Sequence, residues 1–173
     1  DPANPRSRDP ASHYPVMSTE AIAALSVGPL AADNCALFLW GCWPQITDAW
    51  IVAEAWGFTY RTIGWVWAKA KASGFGFHMG LGYYARANTE PCLLFVRGQM
   101  PVATHDVLAL IYSPVREHSR KPDEQYDKIE RLYPGKRYLE LFARHPRPGW
   151  ACWGNEVPNT LGVRLPMEPL APQ

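Results

Sequence analysis

The sequence predicts an α/β domain with a mostly parallel sheet covered by helices on both faces. Two observations support this fold class: short apolar runs of strand length recur along the chain, and amphipathic helical segments separate several of them. The 173 residues, 47% of them hydrophobic, suffice for one sizeable core but not for two large ones. We therefore assign one domain to residues 1–157 and a Pro-rich C-terminal tail to residues 158–173.

The predicted elements begin at Ser18, the N-cap of a short helix that runs to Leu25. The predicted strands are residues 35–40, 62–67, 91–96, 107–112 and 138–142, and the longer predicted helices are residues 44–56 and 122–132. Open sheets of this kind bind ligands at the carboxyl ends of their strands. The site is therefore expected in the loops that follow Trp40, Trp67, Val96 and Phe142.

Composition limits the function classes. The net charge of +1 gives no global basic field, and the basic cluster in residues 116–121 is either a solvated face or a polyanion contact. No apolar run has the length of a membrane span, so we expect no membrane partner. The four cysteines lack metal-ligand spacing, which predicts no zinc site, and free thiols fit a reducing cytoplasm.

Two further features concern the loops and the start of the chain. Glycines at 74, 76, 80 and 82 have neither the spacing nor the following helix of a nucleotide-binding fingerprint. The chain begins with Asp1-Pro2 rather than Met, and we expect an upstream strand to be missing from this sequence. The residues alone thus predict an α/β domain with a small-ligand site at its strand ends, and leave a polyanion partner open.

Eight segments in a fixed order carry a resemblance to a known family. They are H-Y-P-V-M-S (13–18), A-L-F-L-W (36–40), E-A-W-G-F-T-Y (54–60), H-M-G-L-G-Y (78–83), R-A-N-T-E-P-C-L-L (86–94), R-E-H-S-R-K-P-D-E (116–124), L-E-L-F-A-R (139–144) and P-G-W-A-C-W-G-N-E (148–156). Together they resemble the adenine and adenosine amino-methyltransferases related to the catalytic subunit of the eukaryotic messenger-RNA methyltransferase. Phage and bacterial DNA-modifying members are the most similar. The resemblance implies a Rossmann-like fold with permuted motif order and S-adenosyl-L-methionine as cofactor.

The resemblance also implies substrate residues. Asp1 and Pro2 match the start of the family's catalytic Asp-Pro-Pro-Trp, which holds both protons of the adenine amine. Ala3 and Asn4 depart from it, so either residues are missing after Pro2 or the tetrapeptide has degenerated. Tyr14 matches a position that stacks on a flipped-out base. The remaining substrate-binding candidates are Trp67, for which core packing is an equal alternative, Asn88 and Glu90.

The cofactor-binding candidates also come from the resemblance. Lys121 matches the lysine that meets the cofactor's carboxylate, which is a charge-assisted contact. Phe142 and Arg144 follow the strand that resembles the cofactor strand, and Asn155 with Glu156 matches a pair at the cofactor ribose. Glu140 alternates with leucines within that strand and is expected to be structural.

These residues predict a DNA adenine methyltransferase with a 6-methyladenine product, of the kind found in phage or bacterial restriction-modification systems. RNA is the weaker substrate alternative. The chief rival is an inactive protein of the same fold that binds nucleic acid or a partner subunit, which Ala3 and Asn4 would suit. A small-molecule methyltransferase is a third class, and a homodimer remains open.

Overall fold

The computed structural model describes residues 16–82, 84–117, 119–162 and 165. Its helices and strands, in chain order, are α1 (Thr19–Ala23), β1 (Cys35–Trp40), α2 (Ile46–Ala55), β2 (Thr59–Ala70), β3 (Thr89–Arg97), β4 (Leu110–Pro114), α3 (Glu124–Leu132), β5 (Tyr138–Leu141) and β6 (Trp150–Trp153). Two compact units result. The first has residues 16–64, 90–100 and 165 as its described part, and the second has residues 65–82, 84–89, 101–117 and 119–162.

The larger sheet is mixed rather than mostly parallel. Its strand order is β1-β3-β2-β4. Strand β1 is antiparallel to β3, from the Cys35–Arg97 pair to the Trp40–Cys92 pair, whereas β2 is parallel to β4. A parallel neighbour requires a long crossover, usually a helix, and the described residues between β2 and β3 contain no helix. The prediction of an α/β fold is therefore confirmed only at the level of a mixed α/β protein.

The observed bounds confirm some predicted elements and correct others. Strand β1 has the predicted bounds, and Ser18 caps α1 by accepting a hydrogen bond from the Ala21 N–H at 3.1 Å. Helix α2 begins at Ile46 because a 3₁₀ turn over Trp43–Gln45 occupies its predicted start. Strand β2 extends to Ala70, where it still pairs with β4. The expected loop after Trp67 is therefore wrong.

Aromatic packing builds the core of the first unit. Helix α2 contributes Trp50, whose ring lies 4.9 Å from that of Tyr60 and 5.8 Å from that of Phe95. Phe95 is completely buried, and its edge-on contacts with both rings are the preferred aromatic geometry. These contacts join α2, β2 and β3 within the first unit.

Arg97, at the end of β3, ties the surrounding loops of the first unit together. Its guanidinium donates hydrogen bonds to the carbonyl oxygens of Gly28 at 2.8 Å, Trp56, and Gly57 at 3.3 Å. It also lies over the ring of Phe58, 5.0 Å from the centroid. A carbonyl that gains a charged donor is satisfied without water, so Arg97 has a structural role in this unit.

The second unit contains a two-stranded parallel sheet, β5 beside β6, that the sequence analysis did not anticipate. Its register runs from Tyr138–Trp150 to Leu141–Trp153. Tyr138 and Trp150 stack with centroids 4.9 Å apart, and Trp153 is buried. Strand β6 was missed because W-A-C-W is too short to show a period. No helix in the described part of the chain is long and apolar enough to cross a membrane.

Candidate functional site

A cavity of about 320 Å³ lies at the carboxyl end of β5 in the second unit. Its walls come from the segment before α3, the first turn of α3 and the loop after β5. Both signs of charge line it: the cations are Arg120, Lys121, Arg144 and Arg147, and the carboxylates are Asp123 and Glu140. A strand end of this kind is where ligands of α/β proteins bind. We call it the strand-end cavity.

A network of two arginines fixes the segment before α3. Arg116 donates to Asp123 Oδ2 at 2.6 Å and to the Lys121 carbonyl oxygen at 2.8 Å. Arg120 pairs with Glu117 and Asp123 at 3.2 and 3.4 Å. The hydrogen bond from Arg116 lowers the pKa of Asp123, which keeps that carboxylate charged. The network thereby fixes the main chain of Lys121 in the cavity wall.

Left-handed backbone occurs twice in the wall of this cavity. Ser119 has φ 61° and Phe142 has φ 59°, and no other non-glycine residue of the described chain has a positive φ. This conformation is strained for residues with a Cβ and is often found at ligand sites. At Phe142 it turns the chain directly after β5, leaving the ring 39% exposed at the cavity.

The loops that follow β5 and β6 are joined by a very close backbone approach. The Ala143 N–H donates to the Trp153 carbonyl oxygen at 2.9 Å. A Cβ on Gly154 would meet the Ala143 oxygen at 2.2 Å, so only glycine fits there. The ring of Phe142 packs edge-on against Trp153, with centroids 5.2 Å apart. This junction aligns W-G-N-E after β6 with F-A-R after β5.

The junction brings Arg144 and Glu156 together. Arg144 Nε donates to Glu156 Oε1 at 2.8 Å, and Nη2 donates to Oε2 at 3.3 Å. Both side chains are partly exposed, 30% and 44%. A bidentate pair of this geometry orients the carboxylate more firmly than a single contact would. Asn155 lies between Gly154 and Glu156 and is exposed.

Glu140 is a cavity residue, although its alternation with leucines predicted a structural role. It accepts hydrogen bonds from the Tyr126 hydroxyl at 2.9 and 3.0 Å. Burial raises the pKa of Glu140, and burial together with that carboxylate raises the pKa of Tyr126. Tyr126 therefore stays a protonated donor. Arg147 covers the tyrosine ring, 4.7 Å from its centroid.

Sequence reasoning therefore missed Glu140, Tyr126 and Arg147 as members of one site. Strand alternation places Glu140 on one face of β5, but it does not say what that face meets. Only α3 packing beside β5 turns the face into a cavity wall. The available signal was a carboxylate inside an apolar strand, since a buried charge requires a partner.

The predicted substrate residues are less fully placed. Asp1, Pro2 and Tyr14 lie outside the described residues. Trp67 is 4% exposed, and its indole N–H donates to the Ser113 carbonyl oxygen at 3.0 Å, which supports packing as its role. Asn88 and Glu90 flank the start of β3, and both are half-buried.

The sequence matches the MT-A70 family over residues 2–156. A type II methyltransferase, M.MunI from Mycoplasma sp., is 33% identical over 148 residues, which are 84% of this chain and 60% of that protein. An N(6)-adenosine-methyltransferase MT-A70-like protein of Arabidopsis thaliana is 33% identical over 155 residues, or 88% of this chain and 22% of its own length. The human N(6)-adenosine-methyltransferase catalytic subunit METTL3 is 31% identical over 149 residues, with 83% and 25% covered.

The chain spans only part of these relatives: about three fifths of the Mycoplasma protein and about a quarter of the plant and human proteins. The family match includes every element of the strand-end cavity, from the segment before α3 to Glu156.

Proposed function

Because the chain belongs to the MT-A70 family, we propose that it transfers a methyl group from S-adenosyl-L-methionine to the exocyclic amine of adenine in DNA. The observation that carries this proposal is the strand-end cavity: it lies inside the family match and includes three of the five predicted cofactor residues, Lys121, Phe142 and Arg144. The other two follow Gly154, which is joined to the chain after β5.

The charges of the cavity fit the cofactor. S-adenosylmethionine has a carboxylate, an ammonium group, a sulfonium centre and a ribose, so its site needs both signs of charge and acceptors for hydroxyl groups. Lys121 would hold the carboxylate. Glu140 and Asp123 supply the negative charge that the cationic groups require. Glu156, oriented by Arg144, would accept hydrogen bonds from ribose hydroxyls together with Asn155.

When bound, the cofactor supplies an electrophilic methyl group on sulfur. The chain's task is then to orient a weak nucleophile, since the lone pair of the adenine amine is delocalised into the ring. We assign this task to Asp1 and Pro2, whose oxygens would accept both amine protons. Tyr14, Asn88 and Glu90 would line the base pocket, as the family resemblance implies.

DNA is the preferred substrate because the similarity covers 60% of the type II methyltransferase but only 22–25% of the plant and human adenosine methyltransferases. RNA is the second nucleic acid to test. A different class of function, a nucleic-acid-binding or partner subunit without activity, is favoured by one observation: Ala3 and Asn4 stand where the family motif has Pro and Trp. An aromatic ring that could stack on the base is therefore missing from that position.

The test is transfer of a labelled methyl group from S-adenosylmethionine to an unmethylated DNA duplex by the full chain, followed by nucleoside analysis. The expected product is 6-methyladenine. Cofactor binding by calorimetry without transfer to DNA or RNA would contradict the enzymatic proposal and favour the inactive subunit.

The cofactor site has its own test. Lys121→Ala should weaken cofactor binding about tenfold, because a charge-assisted contact is lost. Lys136→Ala, at an exposed lysine outside the cavity, is the matched control and should bind as the wild type does. Equal affinities for the two variants would remove Lys121 from the site.

A further inference from the structure

The loop between β2 and β3, residues 71–88, exposes large apolar side chains to an unusual degree. We call it the Gly-rich loop, and all of it except residue 83 is described. Phe75 is 84% exposed, Met79 72%, and Tyr84 completely exposed. Phe77 and Leu81 are also exposed. Single exposed apolar residues are ordinary on a protein surface, but several in one segment mark an interaction site.

Backbone hydrogen bonds give this loop a defined form. The Lys71 N–H donates to the Gly76 carbonyl oxygen at 3.0 Å, and Gly80 N–H donates to the Ala87 carbonyl oxygen at 3.0 Å. A Cβ on Gly82 would meet the Ala85 carbonyl oxygen at 1.8 Å, so this close return of the chain requires glycine. The exposed rings are therefore presented by a closed, hydrogen-bonded backbone.

The charge of the surrounding segment has one sign. No aspartate or glutamate occurs between Glu54 and Glu90, whereas the chain as a whole has 17 basic and 16 acidic residues. Within the loop, Lys71 and Arg86 are exposed. The described part of the chain places no carboxylate in an ion pair with either of them. Such a segment attracts anions and repels none of their charge.

Exposed rings beside cations, with no acidic residue among them, are the chemistry that binds a nucleic acid strand. Bases stack on the rings while phosphates neutralise the cations. An apolar protein partner would use the rings but leave the cations without a counterpart. We propose that the Gly-rich loop binds the nucleic acid substrate, with Phe75 and Tyr84 stacking on bases and Lys71 and Arg86 contacting phosphates. This inference rests on the proposed function in taking a nucleic acid as substrate.

The experiment measures binding apart from methyl transfer, as the fluorescence anisotropy of a labelled DNA duplex titrated with the full chain over a range of salt concentrations. The double variant Phe75→Ala with Tyr84→Ala should raise Kd by about tenfold or more with an unchanged salt slope, because stacking is lost. Lys71→Ala with Arg86→Ala should raise Kd and reduce the salt slope by about two, one for each lost phosphate contact.

Two controls lie outside the loop. Leu108→Ala removes an apolar side chain that is 75% exposed, and Arg131→Ala removes an exposed arginine; both should leave DNA affinity unchanged. Cofactor affinity and Tm, measured on every variant, should equal those of the wild type, which separates a binding defect from misfolding.

The outcomes distinguish this inference from the proposed function. A wild type that methylates DNA while the loop variants bind DNA normally would overturn the inference alone. Loop variants that change the oligomeric state at unchanged DNA affinity would overturn it in favour of a protein interface. A wild type that binds the cofactor but no nucleic acid would overturn both proposals.

Discussion

Arg97 in the first unit and Arg144 in the second show two different uses of one side chain. Arg97 donates only to backbone carbonyl oxygens in its printed contacts, among them those of Gly28 and Gly57. Arg144 donates to the carboxylate of Glu156 beside a cavity. The first set of acceptors belongs to the main chain and moves only if the fold moves. The second is a side chain that a ligand can contact.

The partners, rather than the residue type, therefore indicate the role of each arginine. Carbonyl oxygens that accept from Arg97 would need water or other donors if the guanidinium were removed, so its loss acts on stability. A partly exposed ion pair contributes little to stability. Its value at the strand-end cavity is that it orients Glu156 toward a ligand.

The largest expected effect tests the structural half of this comparison. Arg97→Ala should lower the free energy of unfolding by about 3 kcal/mol, because several charge-assisted hydrogen bonds to carbonyl oxygens are lost together. Urea denaturation measures it. Arg61→Ala, at an exposed arginine on β2, is the control and should change stability by less than about 0.5 kcal/mol. Equal losses for the two variants would contradict the role given to Arg97.

The second prediction tests the ligand-binding half. Arg144→Ala should raise the Kd for S-adenosylmethionine about tenfold, because Glu156 loses its bidentate partner, and should lower the unfolding free energy by less than about 1 kcal/mol. Calorimetry and urea denaturation measure the two effects. Arg131→Ala removes an ion-paired arginine outside the cavity and should leave cofactor affinity unchanged. A variant that loses stability but keeps cofactor affinity would make Arg144 a second Arg97.

The smallest effect concerns Glu140. Burial raises its pKa above the ordinary value of 4.5. The folded state therefore binds its proton more tightly than the unfolded chain does. This contribution to stability is present below pH 4.5 and is lost as the pH rises through the folded pKa. Glu140→Gln keeps an acceptor for Tyr126 but removes the charge. Relative to the wild type, the variant should therefore gain up to about 1 kcal/mol between about pH 4 and about pH 7.5.

Urea denaturation of both proteins at the two pH values measures this difference. Carboxylates whose pKa is lowered, such as Asp123 and Glu130, respond to acid in both proteins and cancel in the comparison. A stability difference between the two proteins that stays constant with pH would mean that the titration of Glu140 is not perturbed by folding.

Much of the local structure was predictable because its causes are local. The apolar run of β1 is bounded by turn residues, and its observed limits are the predicted ones. Ser18 precedes a helix as an N-cap and accepts the expected hydrogen bond. Helix α3 was predicted from its first-turn proline and begins at Glu124, two residues after it. In each case a few neighbouring residues contain the signal.

The partners of these elements were not predictable in the same way. A strand's sequence gives its alternation but not its neighbour, so the mixed sheet was missed. Trp67 was a candidate for base contact until the extension of β2 and the Ser113 carbonyl oxygen accounted for its indole. Strand β6 is defined by its pairing with β5 more than by its own four residues.

The sequence by itself determined the family and the order of its segments, since eight ordered motifs record identity without any contact between them. It also determined the residues that follow the cofactor strand, because chain order places Phe142 and Arg144 there. Only the tertiary structure decided that Glu140 faces a cavity, that Arg97 serves backbone carbonyls, and that Gly154 joins two loops. These depend on residues distant in sequence meeting within a few ångströms, and no local pattern encodes such a distance.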